Sequence, residues 1–218
     1  VAPVIKAILW DLDGVLADTA AFHFQAWRQT FASLGKPFTE DDFKRTFGLR
    51  NEAVMRDVLG ELPPERRREI SRRKDELYRA AIEGNITPLP GVEPLLRDLR
   101  ARRKRMAVVT STARENVRRI LAALGLDGYL ETIVSGEDVT RGKPDPEGFL
   151  LAAKRLGVAP ADCLVVEDAP DGIEAGKRAG MRCVGVATSH PAGSLAHADL
   201  VVPSLDEPAI RDLVSRAP

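Results

Sequence analysis

Apolar residues fall along this chain in two alternating patterns: short continuous runs, and longer stretches in which they recur every three to four residues. The run Val4 to Trp10, broken only by Lys6, predicts a buried strand. From Ala20 to Leu34, Phe24, Trp27, Phe31 and Leu34 share one helical face, with Thr19 available as N-cap and Gly35 as stop. Residues 39–46 and 51–59 predict two short helices, and Pro63-Pro64-Glu65 opens a long charged one that ends near Gly84. Beyond Pro88 the two patterns alternate. Helix Val92 to Ala101 precedes strand Met106 to Val109, and helix Glu115 to Leu124, stopped by Gly125, precedes strand Thr132 to Ser135. Helix Pro146 to Leu156, stopped by Gly157, precedes strand Cys163 to Val166. Helix Gly172 to Ala179, stopped by Gly180, precedes strand Cys183 to Ala187; strand Leu200 to Val202 and helix Glu207 to Val214 close the series.

Strands alternating with helices of this length predict an α/β fold with a doubly wound, mostly parallel sheet that includes the first strand. The domain plan is a core of residues 1–16 and 87–218, interrupted by an all-helical module over residues 17–86. Open α/β sheets bind ligands beyond the carboxyl ends of their strands, so an insert leaving that edge is placed to act as a cap.

Composition narrows the partners. The 218 residues can bury a substantial core without a second subunit, so a monomer is expected. Lys plus Arg and Asp plus Glu number 32 each, which gives no long-range attraction to nucleic acid or to an anionic membrane. The Arg-rich runs 65–73 and 97–105 read as solvated helix faces and a loop. Cys163 and Cys183 each sit in a short apolar run, as buried small hydrophobes do, and a disulfide framework is not expected. No signal-peptide pattern precedes the first strand, and no apolar run approaches the ~20 residues that span a bilayer, so a cytoplasmic location is expected.

Polar residues stand where four of the predicted strands end. Asp11 and Asp13, followed by Gly14, continue the first strand, and residues two apart in a strand point the same way. Thr110-Ser111 follows the second strand, Lys143 lies in Gly142-Lys143-Pro144-Asp145-Pro146 after the third, and Glu167-Asp168 follows the fourth. Each set alone has an ordinary reading: a turn, a helix N-cap, a surface lysine, a polar turn. Pro144-Asp145-Pro146 reads as a stiffened loop that starts the next helix. An EF-hand loop is excluded, because its fifth position would be Val15 and its twelfth Phe22.

Taken together the four sets fit phosphoryl transfer. Asp11 attacks phosphorus to form an aspartyl phosphate, and Asp13 gives a proton to the leaving oxygen and takes one from the next nucleophile. A hard cation, Mg²⁺, would be held by Asp11, the Asp13 carbonyl and Asp168, with Glu167 acting nearby. Lys143 would offset the developing charge, Thr110 and the backbone N–H groups around Ser111 and Thr112 would hold phosphoryl oxygens, and Gly14 would let the backbone approach the phosphate.

At these residues the chain resembles the haloacid dehalogenase superfamily of phosphotransferases, whose four motifs appear in order as Asp11-Leu12-Asp13-Gly14, Thr110, Lys143 in a Gly-Lys-Pro setting, and Glu167-Asp168. The resemblance implies a Rossmann-like core, Mg²⁺, an aspartyl-phosphate intermediate and a helical cap. The second aspartate disfavours a true haloacid dehalogenase, which lacks that acid and the metal. Asp18 to Trp27 is similar to the cap segment of the β-phosphoglucomutase-like branch, which implies substrate roles for His23 and, with Arg73-Lys74-Asp75, for Lys74. His23 also reads as a partly buried or surface histidine, and Trp27 as cap core. One feature departs from that branch. Its phosphate-gripping cap arginine aligns with Asn51, and Arg50 stands one place early; one helical position turns a side chain by about 100°, and an amide does not replace an arginine fork.

The expectation is a Mg²⁺-dependent phosphatase of small phosphorylated metabolites, sugar phosphates foremost. A sugar phosphomutase is the alternative that shares every core residue. A phospho-accepting receiver module also uses an aspartate, Mg²⁺, a hydroxyl and a lysine at a parallel sheet edge, but it needs neither Asp13 nor a large insert.

Overall fold

The structure, a computed structural model, describes residues 4–215; residues 1–3 and 216–218 of the predicted core lie outside them. The described residues contain a parallel sheet of six strands: β1 (Ala7–Trp10), β2 (Arg105–Val109), β3 (Thr132–Val134), β4 (Cys163–Glu167), β5 (Arg182–Val186) and β6 (Leu200–Val202). The order β3-β2-β1-β4-β5-β6 puts the first strand in the centre and reverses direction beside it, the switch point at which doubly wound sheets bind ligands. All four residues of β1 are buried, which is why it is a continuous apolar run. Val4 to Lys6 precede the strand: Lys6 lends its N–H to the Asp162 carbonyl and its own carbonyl to Arg105 N–H, and ladder pairing starts at Ala7.

Two compact units divide the chain, Val1–Asp18 with Thr87–Pro218, and Thr19–Ile86. Ala17 and Asp18 stay with the sheet unit because Ala17 bridges Asp13 and Pro88 and the Asp18 N–H donates to the Thr87 carbonyl at 3.1 Å.

In the sheet unit, Ala7, Leu9, Ala107, Val109 and Val165 form one core with residues of α7 (Glu147–Leu156) and α8 (Pro170–Arg178), among them Phe149 and Ile173. α5 (Val92–Ala101) buries Leu95, Leu96 and Leu99, α6 (Arg114–Ala123) buries Val117, Ile120 and Leu121, and α9 (Pro208–Ser215) ends the described chain. The two cysteines are free and buried; burial pushes the Cys163 thiol up to about 11 and the Cys183 thiol to about 12. Thr110-Ser111 is not the N-cap of α6. Ala113 holds that place, because Thr110 accepts a bond from Thr112 N–H and turns the chain before the helix starts. Pro146 is the cap residue of α7 rather than its first turn, and Asp145 accepts from Glu147 N–H.

The helical unit consists of α1 (Ala20–Ala32), α2 (Glu40–Thr46), α3 (Asn51–Leu59) and α4 (Pro64–Ile82), packed around Trp27, Phe31, Phe38, Val54, Met55 and Ile70. Trp27 and Phe31 stack with centroids 5.0 Å apart. Thr19 stands at the N-cap of α1 without a capping bond from its side chain, since its ψ of -9° is helical rather than extended. Gly35, at φ 70°, lets Lys36 N–H return to the Phe31 carbonyl and close α1. The charged face of α4 is exposed and laced by pairs such as Arg66–Glu69 and Arg72–Glu76. No described helix is long and apolar enough to cross a membrane.

Candidate active site

Ladder register brings three strand ends to one edge. Trp10 pairs with Val108 and Val166, so Asp11 emerges beside Val109 and Glu167, with Thr110 one step beyond. The Asp11 N–H still donates to the Val166 carbonyl at 2.9 Å, and Thr110 N–H to that of Val134 at 2.9 Å. Both residues therefore leave the sheet in fixed positions.

Lys143 crosses from the loop after β3 and joins two of these ends. Its ammonium donates to Asp11 Oδ1, to Glu167 Oε1 at 2.5 Å and to the Val109 carbonyl at 3.1 Å. Its loop is held at both ends: Asp138 accepts from the N–H and hydroxyl of Ser135, and Glu147 accepts from the N–H groups of Thr140 and Arg141. Glu167 uses its other oxygen to accept from the N–H groups of Asp168 and Ala169, each at 3.0 Å, just before α8. A Cβ on Gly172 would fall 1.9 Å from Glu167 Oε1, so the first turn of α8 must be bare there.

Asp13 has different surroundings. Its Oδ2 accepts from Thr112 Oγ1 at 2.7 Å and, weakly, from Thr110 Oγ1 at 3.4 Å. The sequence placed Thr110 and the Thr112 N–H on phosphoryl oxygens; here the Thr110 hydroxyl reaches Asp13 and accepts from Thr112 N–H at 3.1 Å. Ser111 stands between them, partly exposed. The two aspartates of the first loop thus face an ammonium and a pair of hydroxyls respectively.

Charge is out of balance in this cluster. Asp11, Asp13, Glu167 and Asp168 are all buried, and Lys143 is one positive charge among them. Burial pushes the Asp11 carboxyl up to about 8; Lys143 opposes the rise, and Glu167 and Asp13 add to it. Burial also raises Asp168 well above the carboxylate range, with Glu167 and Asp11 adding to it. Burial alone would lower Lys143, but Asp11 and Glu167 hold it above the ordinary lysine range. Asp168 Oδ2 is buried without a hydrogen-bond partner. A buried carboxylate oxygen without a hydrogen-bond partner, among carboxyls raised first by burial and then by one another's charge, fits a hard divalent cation. Among the described residues no three His, Cys, Asp or Glu side chains form a group that could by itself hold a metal ion.

Gly14 stands close against two side chains of neighbouring loops. At φ 83°, a Cβ there would lie 2.1 Å from Asp168 Oδ2 and 2.4 Å from Ser189 Oγ. Ser189 belongs to Thr188-Ser189-His190, just past β5, which reasoning from sequence passed over although it has the same strand-end placement as the other sets.

The helical unit gathers its own polar cluster. His23 and Lys74 are buried, with Lys74 Nζ 3.1 Å from His23 Nδ1; an ammonium only donates, so Nδ1 accepts. The His23 ring stacks on Tyr78 at 4.1 Å, and Lys74 lies over the rings of Tyr78 and Trp27. Asp75 is 3.5 Å from both Lys74 Nζ and the Asn51 amide. Arg50 is the N-cap residue of α3 and is half-buried.

A family model described as haloacid dehalogenase-like hydrolase matches residues 5–180. The chain belongs to this family. Within it, β-phosphoglucomutase of Bacillus subtilis is 36% identical, over 91% of this chain and 89% of that protein. The validoxylamine A 7'-phosphate phosphatase of Streptomyces hygroscopicus subsp. limoneus is 34% identical, over 93% and 95%. The crystal structure of β-phosphoglucomutase from Clostridium difficile superposes with a TM-score of 0.89 at 28% identity, covering 97% of this chain and 98% of that one. The chain is a haloacid dehalogenase-like enzyme of the β-phosphoglucomutase-like branch, with its Rossmann-like core, and membership sets aside the receiver module. Its relatives include sugar-phosphate phosphatases and a phosphomutase at nearly equal identity, so likeness alone does not choose between the two.

Proposed function

We propose that the protein is a Mg²⁺-dependent phosphatase of small phosphomonoesters, sugar phosphates foremost, working through phosphorylated Asp11. The observation that carries this reading is the unequal setting of the two aspartates: Asp11 on the Lys143 ammonium, Asp13 on the hydroxyls of Thr110 and Thr112. Lys143 opposes the rise that burial imposes on Asp11, and with the charge of a bound cation added Asp11 would attack as the carboxylate; Asp13, whose Oδ2 accepts from two hydroxyls, is placed to exchange a proton. In the first step an Asp11 oxygen bonds to phosphorus, the ester P–O bond breaks, and Asp13 gives its proton to the departing alkoxide. In the second, Asp13 takes a proton from water, whose oxygen displaces Asp11 and releases inorganic phosphate. Lys143 offsets charge on Asp11 and on the phosphoryl oxygens, and Glu167 holds Lys143 in place. Asp11, the Asp13 carbonyl and Asp168 would hold the cation, which when bound supplies positive charge to the transferred group.

A phosphomutase is the second reading, favoured by the buried His23 and Lys74 pair. The neighbourhood of Asn51 supports the phosphatase over it, because the amide points at the Asp75 carboxylate, whose charge opposes a second phosphate grip at that position. The test is β-glucose 1-phosphate with Mg²⁺ and a trace of the bisphosphate, followed by a panel of other sugar phosphates. Release of free phosphate with no isomerised product is expected, and accumulation of glucose 6-phosphate without matching phosphate would refute the phosphatase. Asp11→Asn should lower turnover at least about 10³-fold with the fold intact.

A further inference from the structure

The turn after β5 reaches both loops that carry the proposed cation ligands. Thr188 Oγ1 donates to the Gly14 carbonyl at 2.5 Å. Ser189 Oγ and Asp168 Oδ2 crowd the same point beside Gly14, 2.4 and 2.1 Å from where a Cβ would stand. His190 Nδ1 lies 3.0 Å from the Asp168 main-chain carbonyl, and since a carbonyl only accepts, the ring hydrogen is on Nδ1. Between them the three consecutive side chains touch both loops: Thr188 bonds Gly14, His190 bonds the Asp168 main chain, and Ser189 lies beside Gly14 and hydrogen-bonds the Asp168 carboxyl.

The peptide between Asp13 and Gly14 is oriented from the other side. Gly14 N–H donates to the Ala17 carbonyl at 2.9 Å, and in a planar trans peptide this turns the Asp13 carbonyl away from Ala17. The Thr188 bond fixes the next peptide plane, so the segment bearing the Asp13 carbonyl is pinned on both sides of Gly14. His190 does the same for the main chain of Asp168. Neither residue need touch the ion: by holding the two loops at one separation they set the distance between a carbonyl and a carboxylate oxygen that is buried without a partner.

We infer that Thr188, Ser189 and His190 form a positioning turn that sets the geometry of the divalent-cation site and hence its affinity for Mg²⁺. This inference rests on the reading of Asp11, Asp13 and Asp168 as the cation's holders. Outer partners of metal ligands commonly alter affinity by about 10- to 100-fold when removed.

The experiment is isothermal titration of Mg²⁺ into the full, EDTA-stripped chain, with melting temperatures in EDTA as a check on the fold. Thr188→Val and His190→Ala are each expected to weaken Mg²⁺ binding about tenfold. His190→Asn, whose amide can still donate to the Asp168 carbonyl, should recover most of the loss. If either variant fails to fold, the other decides. Wild-type binding with affinities unchanged in the folded variants, even with lower melting temperatures in EDTA, overturns the positioning role alone. Absence of Mg²⁺ binding in the wild type overturns it together with the metal-dependent reading of the site.

Discussion

Lys143 reaches two carboxylates that lie 132 and 24 residues away in sequence, and its removal shows what a buried charge does without a partner. Lys143→Met would leave Asp11 and Glu167 in the protein interior without the cation that pairs them, a loss of about 3 to 5 kcal/mol by urea denaturation in EDTA. Lys143 opposes the rise of the Asp11 carboxyl, so without the ammonium Asp11 binds its proton still more tightly in the folded chain than in the unfolded one, and stability falls further as pH rises. The deficit should therefore be larger at pH 8 than at pH 6. Gly172 poses the opposite question, of a residue whose value is what it lacks. Alanine is better than glycine in a helix by about 1 kcal/mol, and on propensity alone Gly172→Ala should stabilise α8. Its Cβ would meet Glu167 at 1.9 Å, and Glu167 cannot yield because two N–H groups and Lys143 hold it. The clash should outweigh the propensity, giving a net loss of about 2 kcal/mol or more and lower activity.

Among the elements, α2 is only seven residues long, too short to form on its own, and its start is fixed by side chains. Thr39 Oγ1 accepts from Asp42 N–H while Asp42 accepts from Thr39 N–H at 2.8 Å, a reciprocal box. The bonds from Thr39 and then Arg45 lower the Asp42 carboxyl to about 2. A depressed acid contributes stability above its unfolded value near 4 and loses it as pH falls through the folded one. Asp42→Asn should thus cost about 0.5 kcal/mol at pH 6, and the gap to wild type should close between about pH 4 and pH 2 in guanidinium titrations. Elements of this kind were legible because composition and spacing act locally: the strands are short apolar runs with polar ends, and the glycines at 35, 125 and 157 mark helix stops. The 3₁₀ turns Asp127–Tyr129, Pro160–Asp162 and Ala192–Leu195 escaped because a single turn has no periodicity to detect. In the candidate site, Asp11, Thr110 and Asp168 could be picked out as polar residues at strand ends. That the Thr110 hydroxyl faces Asp13, and that Thr188 and His190 reach Gly14 and Asp168, depends on loop paths that no spacing encodes. His23 and Lys74, 51 residues apart, were paired only through family resemblance.

For the whole molecule, the proposed cation ligands all belong to the unit that contains the sheet, although the chain is covalently one. A ligand that binds only the folded state stabilises it by about 2.7 kcal/mol at one hundred times its dissociation constant. In a chain of this size each kcal/mol raises the melting temperature by about 2 to 4 °C, so saturating Mg²⁺ should raise it by roughly 5 to 10 °C over EDTA. Asp168→Asn should abolish most of that rise, because it removes the charge of the oxygen that has no partner of its own. Scanning calorimetry adds a test that a single melting temperature lacks. If the two units unfold as one cooperative block, the entire transition moves with Mg²⁺; if they unfold separately, only the transition of the sheet unit moves and that of residues 19–86 stays where it was in EDTA. A shift confined to the helical unit would place the cation among Asp75, His23 and Lys74 instead, where an ammonium already occupies the polar cluster and a divalent ion would meet repulsion.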